Sequence, residues 1–114
     1  VKFSLPLPPS INATYRGARG GGRLIYTDVA AAYRTEQGLQ LNQIDVTPLR
    51  GPCVVWMYVY MPYPRKGDHH NNHKLVLDLL EGRAYENDSQ VVSLHIERCY
   101  DKHNPHVEIE VRAK

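Results

Sequence analysis

Asp68, His69, His70 and His73 crowd into the run KGDHHNNHK at residues 66–74, directly ahead of the apolar stretch LVLDLLEG. Carboxylate and imidazole groups bind metal ions, and in front of a helix the same groups can simply be a solvated capping turn. The run contains no HExxH pattern and no cysteine, so it matches neither the zinc-protease nor the structural-zinc arrangement. Local spacing leaves both readings open, a small metal site or a polar turn. Lys74 adds a positive charge one step later. Asp88, in the connection RAYENDSQ, can add a second carboxylate if the chain returns beside the strand at 51–63. Two carboxylates, a lysine and an imidazole in one pocket suit a hard divalent cation, which keeps several waters and takes phosphate oxygens to complete its octahedron.

These side chains have to be positioned by a small domain. With 114 residues, 42% of them apolar, the chain is expected to form a single domain, 1–114, around one modest core. It has no apolar run of about 18 residues, and VKFSLPLPP lacks the layout of a signal peptide, so the expectation is a soluble cytoplasmic protein with no membrane association. Cys53 and Cys99 each sit in a strand-like apolar run, the usual setting of a free, buried cysteine in a reducing compartment. A net charge of +2 does not by itself argue for nucleic acid. The distribution says more, because Arg16, Arg19, Arg23 and Arg34 precede a region where acids gather after position 78.

Val1 to Leu7 alternates weakly before Pro6, Pro8 and Pro9 stop it, which predicts a short first strand. The glycine-rich RGARGGGR at 16–23 predicts an irregular loop carrying three arginines, followed by a short strand up to Tyr26. Thr27 is the expected N-cap of a helix running to about Asp45, with Gly38 a weak point in its middle. GPCVVWMYVYMPY at 51–63 reads as a central strand buried on both faces. Leu75, Val76, Leu79 and Leu80 recur at helical spacing from about Asn72, with Gly82 at C′. Two alternating strands follow, around Val92 to Ile96 and Val107 to Val111, joined by DKHNP and expected to pair antiparallel with each other. The result is an α+β domain: a mixed, mostly antiparallel sheet with two helices packed on it.

Three stretches in order carry a family resemblance. LPLPPSINATYR (5–16) supplies Pro8, Pro9, Ser10, Asn12, Tyr15 and Arg16; DHHNNHKLVLDLLEG (68–82) supplies Asp68, Asn71, Lys74 and Asp78; YENDSQVV (85–92) supplies Asp88, Gln90 and Val91. Together they resemble the RusA family of Holliday-junction resolvases, whose signatures are P-P-S-x-N with Y-R, then D-x-D-N-x-x-K, then D-D-x-Q-V. The resemblance implies a RusA-like fold and a small cytoplasmic homodimer from a bacterial cell, often phage- or prophage-borne. It also implies that Mg²⁺ or Mn²⁺ serves paired hydrolysis of four-way or branched DNA. Asp68 and Asp88 would then be metal ligands, and Lys74 would act on the reacting phosphate. His70 stands where the motif has its second aspartate, so the implied catalytic set is Asp68, His70, Lys74 and Asp88, and the implied metal set Asp68, His70 and Asp88. An imidazole there favours a softer divalent ion than Mg²⁺. The alternative outcome is a protein that binds junctions with weak or lost cleavage. Asn87 stands where the family often has a further acid.

Arg16, Arg19 and Arg23 on the glycine-rich loop, Arg65 and Lys66 before Asp68, and Lys74 are the candidate DNA contacts, since guanidinium forks match phosphate oxygens. Tyr60 and Tyr63 are read as core or interface. His95, His103 and His106 are read as surface or strand residues.

Overall fold

The computed structural model describes residues 1–9, 15–17, 24–64 and 73–114, with side chains at 15–17 and 24–26 left aside. Its elements are β1 (Lys2–Leu5), β2 (Tyr15–Gly17), β3 (Leu24–Tyr26), α1 (Asp28–Asn42), β4 (Cys53–Met61), α2 (His73–Leu80), β5 (Val91–Tyr100) and β6 (His106–Ala113). A short 3₁₀ turn, Asp88–Gln90, leads into β5. The main sheet has four strands in the order β1-β6-β4-β5, while β2 and β3 form a separate antiparallel pair. The expected α+β architecture is therefore present, and most of its pairings are antiparallel.

One expected pairing is absent. β5 and β6 are not neighbours, because β4 lies between them, antiparallel to β6 and parallel to β5. Parallel neighbours need a long crossover, and here α2 supplies it. Alternation in β5 and β6 reports which face each strand buries; it carries no information about which strand lies alongside. The irregular loop expected at 16–23 is likewise shortened at its start, since Arg16 and Gly17 pair with Ile25 and Leu24.

β4 is interior in the sheet, but it is buried on one face rather than two. Cys53, Val55, Met57, Val59 and Met61 are buried, whereas the positions between them are half-exposed. The buried set shares one core with Phe3 and Leu5, with Ala30, Tyr33 and Leu41 of α1, with Leu75, Val76, Leu79 and Leu80 of α2, and with Val107, Ile109 and Val111. The opposite face keeps its aromatic side chains occupied locally. Tyr60 stacks on His106 at 4.5 Å between ring centroids, and the Arg112 guanidinium lies 5.4 Å from the Trp56 ring. Cys53 and Cys99 are free thiols, as expected.

Thr27 caps α1 by accepting the Ala30 N–H at 3.3 Å, and the helix ends at Asn42, slightly short of the expected Asp45. α1 is tied to α2 by Arg83, whose Nε donates to Asn42 Oδ1 at 2.9 Å and whose Nη1 donates to Leu79 O at 2.7 Å. Gly38 makes room for that guanidinium: a Cβ at position 38 would stand 2.9 Å from Arg83 Nη2. Among the described residues no helix is long and apolar enough to cross a membrane.

Candidate active site

The apolar side of α2 is committed to the core, which leaves Lys74, Asp78 and Glu81 at intervals of four and three on the other side. Past Leu80 the chain reverses at Gly82, whose φ of +80° is costly for any residue with a Cβ. Its N–H donates to Tyr85 O at 2.7 Å. The returning segment then runs beside Leu49, with Leu49 N–H donating to Ala84 O (2.9 Å) and Glu86 N–H donating to Leu49 O (3.3 Å). That path sets Asn87 and Asp88 at the mouth of β5, next to the end of α2.

Asp88 arrives against two acids. Ligand oxygens of Asp78, Glu81 and Asp88 all lie within 4.8 Å of one another, the first two carboxylates half-buried and the third exposed. Glu81 Oε1 also accepts the backbone N–H of Asp88 at 3.2 Å. Behind them Tyr85 is fully buried and donates its hydroxyl to Leu77 O at 2.7 Å. Burial, and then the negative charges of Asp88, Cys53, Glu81 and Asp78, hold its phenol well above the ordinary range, so it stays a neutral donor.

Three carboxylates at this spacing repel one another, and the last turn of a helix is the wrong end for acids because the carbonyl ends of its peptide dipoles gather there. Both penalties fall when a cation is bound. All the donors are hard oxygens, the chemistry that Mg²⁺, Mn²⁺ and Ca²⁺ prefer. The donor set therefore fits a divalent cation on its own terms.

Of the residues expected to be catalytic, to bind metal or to contact DNA, Lys74 and Asp88 have described side chains. Lys74 is exposed in the first turn of α2, one turn before Asp78, and Asp88 joins the acid cluster. Asp68, His69, His70, Arg65, Lys66, Arg19 and Arg23 lie outside the described residues, as does the side chain of Arg16. His73 opens α2.

Two members of the cluster were given no role by sequence reasoning. Asp78 was matched to a motif only, and Glu81 was not singled out at all. The available signal was two acids three apart at the end of a helix whose sequence contains no basic residue in its last turn. Asn87 Oδ1 accepts Ser89 N–H at 2.9 Å and caps the turn, a role an aspartate could also fill.

A family model described as Endodeoxyribonuclease RusA matches residues 6–112, nearly the whole chain. No curated protein matches it.

Proposed function

The chain belongs to the RusA family of endodeoxyribonucleases, and from that membership we propose a divalent-metal-dependent nuclease of one domain that resolves four-way or branched DNA by paired phosphodiester hydrolysis. The observation that carries the metal dependence is the approach of Asp78, Glu81 and Asp88 to within 4.8 Å. When bound, a divalent cation polarises the scissile phosphate and acidifies a water that it coordinates.

The chain's own residues do the rest. Asp88 would hold the cation, Asp78 and Glu81 would add negative charge around it, and Asp68 and His70 are the further donors that the family resemblance implies. Lys74 would offset charge that builds on the phosphate oxygens as a water oxygen bonds to phosphorus and the bond to the 3′ oxygen breaks, that oxygen taking up a proton to leave a 3′ hydroxyl and a 5′ phosphate. Arg16, Arg19, Arg23, Arg65 and Lys66 bind neighbouring phosphates and orient the branched backbone without reading sequence. Paired cuts in a two-fold substrate call for two such sites, which a homodimer provides.

The test is cleavage of a synthetic four-way junction with Mg²⁺, Mn²⁺, Co²⁺ or Zn²⁺, by the wild type and by Asp68→Asn and Asp88→Asn. We expect both variants to bind junctions with wild-type affinity in Ca²⁺ and to cut at least a hundredfold more slowly. Full activity in Asp88→Asn would overturn the site. Junction binding by the wild type with no cleavage under any metal would favour the second reading, that His70 has turned the protein into a binder.

A further inference from the structure

Asp88 is exposed and sits in a 3₁₀ turn of only Asp88–Gln90, whose own backbone bonding is slight: Gln90 N–H donates to Asn87 O and Val91 N–H to Asp88 O. Its carboxylate has to be fixed by whatever fixes the turn. Gln90 does this with both ends of its amide. Oε1 accepts Asn87 N–H at 2.8 Å, while Nε2 donates to Leu49 O at 2.7 Å and to Gly51 O at 2.9 Å. Leu49 O also receives Glu86 N–H, so one carbonyl ahead of β4 ties down both sides of the turn.

We propose that Gln90 is a positioning residue for the metal site: its three hydrogen bonds staple the Asp88 turn to the segment entering β4 and so hold the Asp88 carboxylate against Asp78 and Glu81. The inference rests on the proposed metal-dependent reading and adds to it a residue that touches neither cation nor DNA. No other side-chain type of this size offers two N–H donors and an acceptor in one planar group. Glutamate keeps the acceptor and loses both donors. Methionine keeps the shape and loses all three bonds.

The bond to Gly51 O is exposed, where water can replace a lost donor, and the part-buried Leu49 O keeps Glu86 N–H as a donor, so removing the clamp should cost little global stability. It should cost geometry instead, and supporting groups around a metal site typically change affinity by about 10–100-fold.

The experiment titrates Mn²⁺ into the metal-free full-length protein and reads the free ion by electron paramagnetic resonance. Junction affinity in Ca²⁺ and the melting temperature are measured alongside, for the wild type, Gln90→Met, Gln90→Glu, Asn87→Asp and Asp88→Asn. We expect Gln90→Met to weaken Mn²⁺ binding about tenfold with junction affinity and melting temperature nearly unchanged. Gln90→Glu should weaken it too, although added negative charge alone would strengthen it. Asn87→Asp, which keeps the cap, should bind at least as well as the wild type.

Superimposable titrations for the wild type and Gln90→Met, with Asp88→Asn defective, would overturn the clamp and leave the metal site standing. A large loss of melting temperature in Gln90→Met would also overturn it, by making Gln90 a general brace. No Mn²⁺ binding by the wild type would overturn both readings together.

Discussion

The carboxylate of Glu81 accepts the backbone N–H of Asp88 at 3.2 Å, so the acid just past the end of α2 also fixes the position of the acid that opens the path into β5. One side chain thus adds charge to the cluster and orients its neighbour. The two contributions separate by substitution, because glutamine keeps an acceptor oxygen and drops the charge, whereas alanine drops both.

In metal-free buffer we expect Glu81→Gln to be slightly more stable than the wild type, by about 0.5 kcal/mol, since like charges this close on a helix destabilise by that order. Mn²⁺ should then raise the melting temperature of the wild type more than that of the variant, because only binding to the folded state stabilises it. Glu81→Ala should gain less stability and lose more Mn²⁺ affinity than Glu81→Gln. Equal melting temperatures with and without Mn²⁺ in the wild type would remove Glu81 from the site.

His70 offers a reversal rather than a loss. On the proposed reading, an imidazole at position 70 would take one negative charge from the donor set and would shift preference toward Mn²⁺, Co²⁺, Ni²⁺ or Zn²⁺. We expect His70→Asp to cut four-way junctions in Mg²⁺ at least tenfold faster than the wild type, with a smaller change in Mn²⁺. An unchanged metal profile would show that His70 is not a ligand.

The acid cluster marks a boundary of what the chain's pattern conveys. Asp88 was legible because YENDSQ sits between a helix pattern and a strand pattern, and because the motif order placed it. Asp78 and Glu81 were not, since on a linear reading two acids three apart on an amphipathic helix look like its solvated side. They meet Asp88 only when β5 starts beside the end of α2, and that depends on β5 being the parallel neighbour of β4. Strand alternation cannot supply this fact. The same gap misplaced β6, whose Val107, Ile109 and Val111 declare a buried face but not that β4 and β1 flank it. Gly38 was only half legible for a related reason: helix propensity counts it as a weak point, and the packed structure also uses the missing Cβ.

The Gly38 position supports a double-substitution experiment. Alanine in place of glycine inside a helix is worth about 1 kcal/mol on propensity alone. Here the new Cβ would meet Arg83 Nη2 at 2.9 Å and push the guanidinium from Asn42 and Leu79 O. We expect Gly38→Ala to be neutral or destabilising in the wild type, and to stabilise by about 1 kcal/mol when Arg83 is already methionine. Chemical denaturation of the four proteins measures the coupling; simple additivity would show that Arg83 yields without cost.

Tyr33 and Tyr85 are expected to shape the alkaline limit of stability. Each hydroxyl is sequestered with a backbone carbonyl, Tyr33 donating to Pro6 O and Tyr85 to Leu77 O, both at 2.7 Å. Burial raises both phenols well above their ordinary value of 10.0, and at Tyr85 nearby negative charge adds to it. The unfolded chain then releases these protons at lower pH than the folded one. Their contribution is fully present below about pH 10 and is lost as pH climbs from there toward the folded-state values. Tyr33→Phe and Tyr85→Phe should each cost about 1 kcal/mol at pH 7 through the lost hydrogen bond. The double variant should show a flatter decline in stability above about pH 10 than the wild type. Denaturant midpoints measured from neutral pH upward provide the check, and parallel curves for the two proteins would mean that other groups set the alkaline limit.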